Sequence, residues 1–221
     1  MVNIHTIIYV AKSLHKEDIE GKEVLEVGSL DHNGTVRSLV ESFKPNKYVG
    51  VDFIAGEGVD LVCRAEDLIN IFGKESFDVI IATELLQHTK NWKDVIHNMK
   101  NVCKKEGIML ISARSKGFNG YHGYPQDYWR YEIEDINKIF SDFNISVLEK
   151  DKNDDGVLIK LIKPKNFIEN NLSEYNLYSI VVNKRIQKLS KKDLKNLSYQ
   201  LMAIRYHINK FILKVGKKLL R

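Results

Sequence analysis

The chain has 221 residues, of which 43% are hydrophobic, and a formal net charge of +5. This length suits one α/β domain with a sizeable core and some additional structure. Two cysteines, Cys63 and Cys103, offer neither a disulfide framework nor a zinc site and suit a reducing cytoplasm. No apolar run approaches the ~20 residues of a membrane span, and no signal-peptide pattern is visible, so we expect a soluble, cytoplasmic protein.

The positive charge is concentrated at the C-terminal end of the chain. Residues 184–221 contain twelve Lys or Arg and one acid, whereas residues 1–183 contain 22 basic and 28 acidic residues. The basic character therefore belongs to residues 184–221, which we call the tail.

The chain begins with residues 1–20, predicted to form a short helix that covers one edge of a sheet.

The segment that organises the rest is residues 23–52. It contains an apolar run ending at Gly28, a polar loop with Gly34, a stretch of helical periodicity, and a second apolar run ending at Asp52. This order of strand, glycine-containing loop, helix and acid-tipped strand is typical of half of a nucleotide-binding βαβ unit.

The chemistry of this unit suits a nucleotide-like ligand. Glycines let the backbone approach the ligand, the helix N-terminus offers unpaired N–H groups, and an acid closing the second strand can accept both hydroxyls of a ribose. The two glycines lie six residues apart, so the dinucleotide pattern GxGxxG is absent and an NAD-dependent oxidoreductase is the weaker alternative. A βαβ unit without a ligand is a further alternative.

Four motifs occur in order over about residues 20–163. They are Glu26-Val27-Gly28, Val49-Gly50-Val51-Asp52, Phe77-Asp78-Val79-Ile80 leading to Glu84-Leu85-Leu86-Gln87-His88, and Lys105-Glu106-Gly107-Ile108-Met109-Leu110-Ile111. Their order and spacing resemble the class I S-adenosylmethionine (SAM) dependent methyltransferases. The family's glycine-rich GxGxG loop is replaced here by Gly28-Ser29-Leu30-Asp31-His32-Asn33-Gly34, so this loop must follow a different path.

The resemblance implies the fold class and the domain organisation. We expect an α/β fold with a doubly wound, mostly parallel seven-stranded sheet of the Rossmann-like methyltransferase type, its last strand inserted antiparallel. Residues 1–165 would form the methyltransferase domain, and residues 166–221 a basic amphipathic helical extension.

The sequence also predicts individual elements of this domain. Residues 77–83 are nearly all apolar, as in a buried parallel strand, and residues 91–105 have the periodicity of an amphipathic helix. The inner face of that helix carries Trp92, Val95, Ile96, Met99 and Val102. The next strand covers residues 108–113, and residues 147–148 and 157–162 are predicted to form a closing hairpin.

SAM is the cofactor that the resemblance implies, bound at the carboxyl ends of the strands. The residues in the matching positions are Glu26, Gly28, Ser29, Gly34, Asp52, Phe53, Ala65, Glu66, Thr83 and Glu84. Arg64 stands where the family commonly has an adenine-binding acid, so the Ala65 backbone and Glu66 or Asp67 are expected to take that role. Alternatively, the two acids are first-turn residues favoured by a helix dipole.

The loop at residues 115–131 combines three glycines and a proline with five aromatic residues within eleven positions. Flat aromatic faces with interleaved polar groups suit a sugar or another polyhydroxyl acceptor. The candidate acceptor-binding residues are Tyr124, Tyr128, Trp129 and Arg130, and the surrounding string resembles family members associated with polysaccharide biosynthesis. The alternative is a packed lid whose aromatic side chains fill core and whose Asp127 pairs with Arg130.

Methyl transfer to a hydroxyl requires positioning of the reactants and removal of the hydroxyl proton. His88 and His122 are the candidate bases, and Asp127 could orient the base or hold an acceptor hydroxyl. No ligand spacing demands a metal. We therefore predict a SAM-dependent methyltransferase that O-methylates a small-molecule or glycan-like acceptor, with a non-catalytic methyltransferase-like scaffold acting through the tail as the alternative.

Apolar residues recur in steps of three and four over residues 194–219, which is typical of a heptad seam. Three partners remain open for this seam: a second copy of the chain in a homodimer, the catalytic domain, or an anionic membrane surface to which the protein would bind peripherally. Nucleic acid is not expected, because the tail lacks the loop pattern of a nucleic-acid reader.

Overall fold

The computed structural model of the protein describes residues 4–32, 34–118, 120–123, 126–151 and 155–219, with side chains as far as residue 212. The helices of this part of the chain are α1 (Ile4–Ser13), α2 (Lys16–Ile19), α3 (Arg37–Ser42), α4 (Leu68–Phe72), α5 (Trp92–Val102), α6 (Ile133–Ile139) and α7 (Leu197–Leu219). Its strands are β1 (Glu23–Val27), β2 (Lys47–Asp52), β3 (Leu61–Val62), β4 (Phe77–Thr83), β5 (Cys103–Arg114), β6 (Trp129–Arg130), β7 (Asn144–Asp151), β8 (Gly156–Ile162), β9 (Leu177–Ser179) and β10 (Lys184–Ile186).

The large sheet of the described chain has seven strands in the order β3-β2-β1-β4-β5-β8-β7. Neighbouring strands from β3 to β5 pair in parallel, whereas β8 runs antiparallel to both β5 and β7. The predicted doubly wound, mostly parallel sheet with an antiparallel last strand is confirmed.

The central strands position the site. β1 and β4 are almost entirely buried, and their apolar runs follow from being covered on both faces. β1 has β2 on one side and β4 on the other, so the direction of strand progression reverses at β1. The carboxyl ends of these three strands therefore border one crevice, which is where open α/β sheets bind ligands.

The N-terminal helices cover a face of the sheet and not its edge. Val10 of α1, Leu14 and Ile19 pack in one buried cluster with Val24 of β1 and Val79 of β4. β1 and β4 are neighbours in the middle of the sheet. The predicted edge position is therefore wrong, because the apolar side chains of the helices bury more apolar area on the central strands.

α5 buries the side chains that its periodicity predicts. All five residues of the predicted inner face are at most 1% exposed. The helix ends at Val102, earlier than predicted, and β5 begins at Cys103. Lys163 stabilises this early end, since its Nζ donates to the carbonyl oxygens of Lys100 at 2.9 Å and Cys103 at 2.7 Å.

The chain beyond residue 165 contributes to the core. β9 and β10 form a small antiparallel sheet with β6. Leu177, Val181 and Leu189 belong to the same buried cluster as the strands of the large sheet. The prediction of a helical extension from residue 166 onward is wrong up to residue 192, because α7 begins at Leu197 after a 3-10 turn.

One face of α7 is docked on the domain. Tyr199 is buried, and Met202, Ala203 and Tyr206 pack partly buried against the main core cluster. The apolar residues of the predicted seam from Leu197 to Phe211 are exposed, so the alternative in which the seam docks on the catalytic domain is wrong for them. In the described residues, no helix is both long and apolar enough to cross a membrane.

Candidate functional site

A cleft of about 320 Å³ opens at the carboxyl ends of β1, β2, β3 and β4. Its volume lies at the lower end of the range for small-molecule sites, roughly 300–1,000 Å³. The sequence-predicted residues that line it are Gly28, Asp52, Phe53, Ala65, Glu66, Thr83, Glu84, His88 and Tyr128. The fold thus brings most of the predicted cofactor residues to one crevice.

The ends of β1 and β2 form one wall of this cleft. The chain turns at Gly28 with a φ of +83°, and a Cβ at this position would lie 3.0 Å from Leu85 Cδ1. The carboxylate of Asp52 accepts hydrogen bonds from the N–H groups of Leu30 at 3.4 Å and Ile54 at 3.1 Å. These backbone donors fix the carboxylate at the cleft, beside the glycine turn.

The end of β4 contributes Thr83 and Glu84. Thr83 Oγ1 is buried and has no hydrogen-bond partner among the residues that the structure describes. Glu84 adopts a φ of +54°, which costs backbone strain in a residue with a side chain. Its buried carboxylate accepts a hydrogen bond from Ser112 Oγ at 3.0 Å and lies 2.7 Å from Arg114 Nε. This ion pair holds the strained turn at the cleft.

Three predicted cofactor residues do not line the cleft. Glu26 points to the opposite face of β1, where its Oε2 accepts a hydrogen bond from the Tyr48 hydroxyl at 2.6 Å. Ser29 is buried, and the N–H of Gly34 donates to Asp31 Oδ1 at 2.8 Å. None of the three is among the residues that line the cleft. Alternate strand residues face opposite ways, and the sequence could not say which face meets the cleft.

Glu26 has an unusual protonation equilibrium. Burial raises the pKa of its carboxyl to about 7; the Tyr48 hydrogen bond and Arg37 oppose this shift, and Asp31 and Asp60 add to it. Between pH 4.5 and about 7 the folded protein keeps a proton that the unfolded chain has lost. Ionisation of Glu26 therefore lowers the free energy of unfolding as the pH rises through this window.

We expect the Glu26→Gln variant to be more stable than the wild type at about pH 8, by up to about 3 kcal/mol, and equally stable at about pH 4. Glutamine keeps an acceptor for Tyr48 and cannot ionise. Urea unfolding at the two pH values measures the difference, with Glu57→Gln, an exposed carboxylate, as the control. The same difference at both pH values would show that Glu26 is not the titrating group.

His88 and His122 lie side by side, with ring centroids 5.5 Å apart. His88 lines the cleft, and its Nδ1 lies 2.5 Å from the Gln126 carbonyl oxygen. A carbonyl oxygen can only accept, so Nδ1 carries the proton and Nε2 carries the lone pair. His122 is not among the residues that line the cleft. Of the two predicted bases, His88 is the one that reaches it.

Both histidines are neutral at physiological pH. Burial lowers the pKa of His88 to about 3 and that of His122 to about 2, and both Arg114 and Arg130 add charge repulsion. The unfolded chain binds protons near pH 6.5 that the folded protein excludes. The free energy of unfolding contributed by these two rings is therefore constant above about pH 6.5 and falls as the pH is lowered below it. This pH dependence is opposite to that of Glu26, which lowers the free energy of unfolding as the pH rises.

Several predicted acceptor residues are buried. Asp127 and Arg130 are both 0% exposed and form a two-pronged ion pair at 2.6 and 2.8 Å. Asp127 also accepts a hydrogen bond from the backbone N–H of His122 at 2.6 Å, and Trp129 Nε1 donates to the Thr89 carbonyl at 3.0 Å. For Asp127, Trp129 and Arg130 the packed-lid alternative matches the structure. None of the three lines the cleft, and the atoms named above bond to internal partners, which leaves their predicted contact with an acceptor without support.

The remaining residues of this loop have different surroundings. Tyr128 lines the cleft, whereas Tyr124 lies outside the described residues. Tyr121 packs edge-to-face against Tyr199 and Tyr206 of α7, with ring centroids 5.5 and 5.6 Å apart. The tail helix therefore holds the loop that carries His122 and Tyr128.

The structure also adds residues that the sequence did not single out. Leu30, Cys63, Thr89, Lys90 and Gln126 line the cleft. They lie in loops whose paths depend on the folded domain, and no local pattern marks them. Arg114, which pairs with Glu84, ends the strand next to β4, and this position at the carboxyl edge of a parallel pair is a signal that could have identified it.

The sequence matches the family model described as a methyltransferase domain over residues 6–197. No match to a curated protein was found. Among solved structures, a Listeria monocytogenes protein assigned to the S-adenosylmethionine dependent methyltransferases is 15% identical, over 71% of this chain and 95% of its own, with a TM-score of 0.57.

Two further solved structures show the breadth of this fold. The 1,6-didemethyltoxoflavin-N1-methyltransferase of Burkholderia thailandensis, with bound 1,6-didemethyltoxoflavin and S-adenosylhomocysteine, is 12% identical over 66% of this chain and 72% of its own, with a TM-score of 0.53. The [4+2]-cyclase SpnF is 13% identical over 72% and 80%, with a TM-score of 0.57. At these identities the likeness establishes the shared fold and does not select an acceptor.

Proposed function

The chain belongs to the methyltransferase-domain family and uses SAM, and we propose that it transfers the methyl group to a hydroxyl of a small, glycan-like acceptor. The observation that carries the choice of a hydroxyl is the neutral His88 ring at the cleft, whose Nε2 carries the lone pair and has only the long contact of 3.4 Å to Gln87 Nε2 among the described residues. The oxidoreductase alternative has no support in the family match.

The cleft fits the cofactor in three respects. The Asp52 carboxylate stands at the tip of β2, where it can accept both ribose hydroxyls. Gly28 brings the backbone itself to the cleft wall, and the orphan hydroxyl of Thr83 can bond to a ligand. We assign the ribose to Asp52, the adenine to Phe53, Ala65 and Glu66, and the amino acid part to Gly28, Thr83 and Glu84.

The role of the protein is positioning and proton removal. Bound SAM supplies an electrophilic methyl group on a positively charged sulfur. The chain must hold the acceptor oxygen in line with that group and take the hydroxyl proton. His88 Nε2 is suited to accept this proton, because the Nδ1 proton bonded to the Gln126 carbonyl fixes the tautomer.

The end of the cleft near His88 supports a hydroxyl-rich acceptor. Tyr128 offers an aromatic surface, and Thr89, Lys90 and Gln126 offer hydrogen-bonding groups. A flat apolar contact beside several polar groups is the combination that binds a sugar ring. A role in polysaccharide biosynthesis is part of this proposal.

The test is an acceptor screen with trideuteromethyl-labelled SAM. Sugars and nucleotide sugars are compared with amines and carbon acids of similar size, and mass spectrometry and NMR locate the label. We expect labelled methyl groups on oxygen of sugar-like acceptors. Label confined to nitrogen or carbon would refute the hydroxyl assignment, and tight cofactor binding without transfer to any acceptor would favour the scaffold alternative.

We expect Asp52→Ala to weaken the binding of S-adenosylhomocysteine by about 10- to 100-fold, since hydrogen bonds to a charged group contribute about 1.5–3 kcal/mol. Isothermal titration calorimetry measures the dissociation constant. Glu57→Ala removes an exposed carboxylate nearby and is the matched control, and NAD is the control ligand. Unchanged affinity in Asp52→Ala would remove the ribose assignment.

A further inference from the structure

α7 presents an apolar face that is uncovered in the described part of the chain. Six of its residues are between 52% and 73% exposed: Leu197, Leu201, Ile204, Ile208, Phe211 and Ile212. The docked residues, among them Tyr199 and Tyr206, lie on the opposite side of the helix at 100° per residue. The helix therefore has two separate contact faces, and the domain uses one of them.

The spacing of the exposed face is that of a coiled coil. From Leu197 to Val215 the apolar residues alternate in steps of four and three, which is the 3.5-residue repeat of positions a and d. In this heptad Tyr199 and Tyr206 fall at position f, directly opposite the a and d seam. Docking on the domain therefore leaves the seam uncovered from Leu197 to Phe211.

We propose that α7 pairs with α7 of a second copy of this chain to form a homodimer. If each of the six exposed side chains buries on the order of 100 Å², two copies bury about 1,200 Å², which is where stable specific interfaces begin. The helix is 23 residues long, enough for three heptads.

The distribution of charge on α7 favours a second copy of the chain over a membrane as the partner of its apolar face. α7 carries five Lys or Arg and no Asp or Glu, and four of the five follow residue 209. Antiparallel pairing sets each Lys-rich end against the weakly charged half of the partner helix and separates the like charges. Lys210 lies on the docked side, with its Nζ 6.0 Å from the Tyr206 ring centroid, so its charge is turned away from the seam.

The test is the mass of the full chain in solution, measured by light scattering and sedimentation equilibrium at micromolar concentration. We expect the wild type to have twice the 25.6 kDa of one chain. Ile208→Glu, which places a charge in the seam, is expected to weaken the dimer by at least 100-fold. Asn209→Glu adds the same charge at an exposed position beside the seam and is expected to remain dimeric. Both positions are exposed, so unchanged circular dichroism is expected.

The effect of salt distinguishes a homodimer from a membrane contact. Raising the salt concentration should strengthen the dimer, because it screens repulsion between two basic helices. A membrane contact would instead weaken with salt. A monomeric wild type, a dimer that survives Ile208→Glu, or a monomer that floats with phosphatidylserine vesicles and dissociates from them in salt would each overturn the proposal.

Discussion

Replacing His88 with asparagine is expected to lower kcat for methyl transfer by about 10²- to 10³-fold. Asparagine keeps a donor near the position of Nδ1, which can still bond to the Gln126 carbonyl, and removes Nε2, the atom assigned to take the acceptor proton. The expected loss lies in the lower part of the range for general bases, because the low pKa of His88, about 3, makes its ring a weak proton acceptor.

The matched control is His122→Asn. The two rings are 5.5 Å apart and both are neutral, but His122 does not line the cleft, so its replacement should change kcat by no more than a few-fold. S-adenosylhomocysteine affinity should stay within two-fold in both variants, since the Asp52 end of the cleft is untouched. A large loss in His122→Asn together with a small one in His88→Asn would assign the proton transfer to His122.

The pH dependence provides a second readout for His88. An ordinary histidine base is protonated between about pH 7.5 and 5.5 and loses activity in that range. The depressed pKa of His88 keeps its ring unprotonated there, so the wild-type kcat should stay level. A fall in kcat with an apparent pKa near 6.5 would contradict the burial that sets this pKa.

Asp127→Ala is expected to destabilise the protein by about 3–5 kcal/mol, because it leaves the Arg130 guanidinium buried without its counter-ion. For a chain of this size that corresponds to a fall in Tm of roughly 6–20 °C. The same substitution removes the acceptor for the backbone N–H of His122 and loosens the loop between the cleft and α7. Differential scanning calorimetry and urea unfolding measure the loss.

The double variant Asp127→Leu/Arg130→Met tests whether the unpaired Arg130 charge causes this loss of stability. Removing both charges avoids the unpaired cation, so it should recover a large part of the stability that Asp127→Ala loses. An exposed pair, Lys16 and Glu20, is the comparison, and Glu20→Ala should change stability by less than about 1 kcal/mol. If the Asp127→Ala variant is as stable as the wild type but has lost methyl transfer, Asp127 takes part directly in the reaction, as the sequence predicts.

The sequence by itself was enough to predict the fold class and the edge of the sheet at which the cleft opens. The apolar runs of β1, β2 and β4, the turn at Gly28 and the acid at Asp52 are local patterns, and parallel strands with crossover helices place their carboxyl ends at one edge. Local periodicity likewise predicted the inner face of α5, because one stretch of chain contains all the information needed. The heptad seam of the tail was visible for the same reason.

Tertiary structure decided which side chains meet. Strand alternation is visible in the sequence, but the face of β1 that carries Glu26 is set by the packing of distant helices. Whether Asp127 and Arg130 bind a ligand or each other depends on burial, and the pair is buried beneath a loop that α7 holds through Tyr121. Which face of α7 docks on the domain likewise depends on a tertiary contact, the packing of its tyrosines against that loop. Such choices depend on contacts between residues far apart in the chain, whose energies no local pattern encodes.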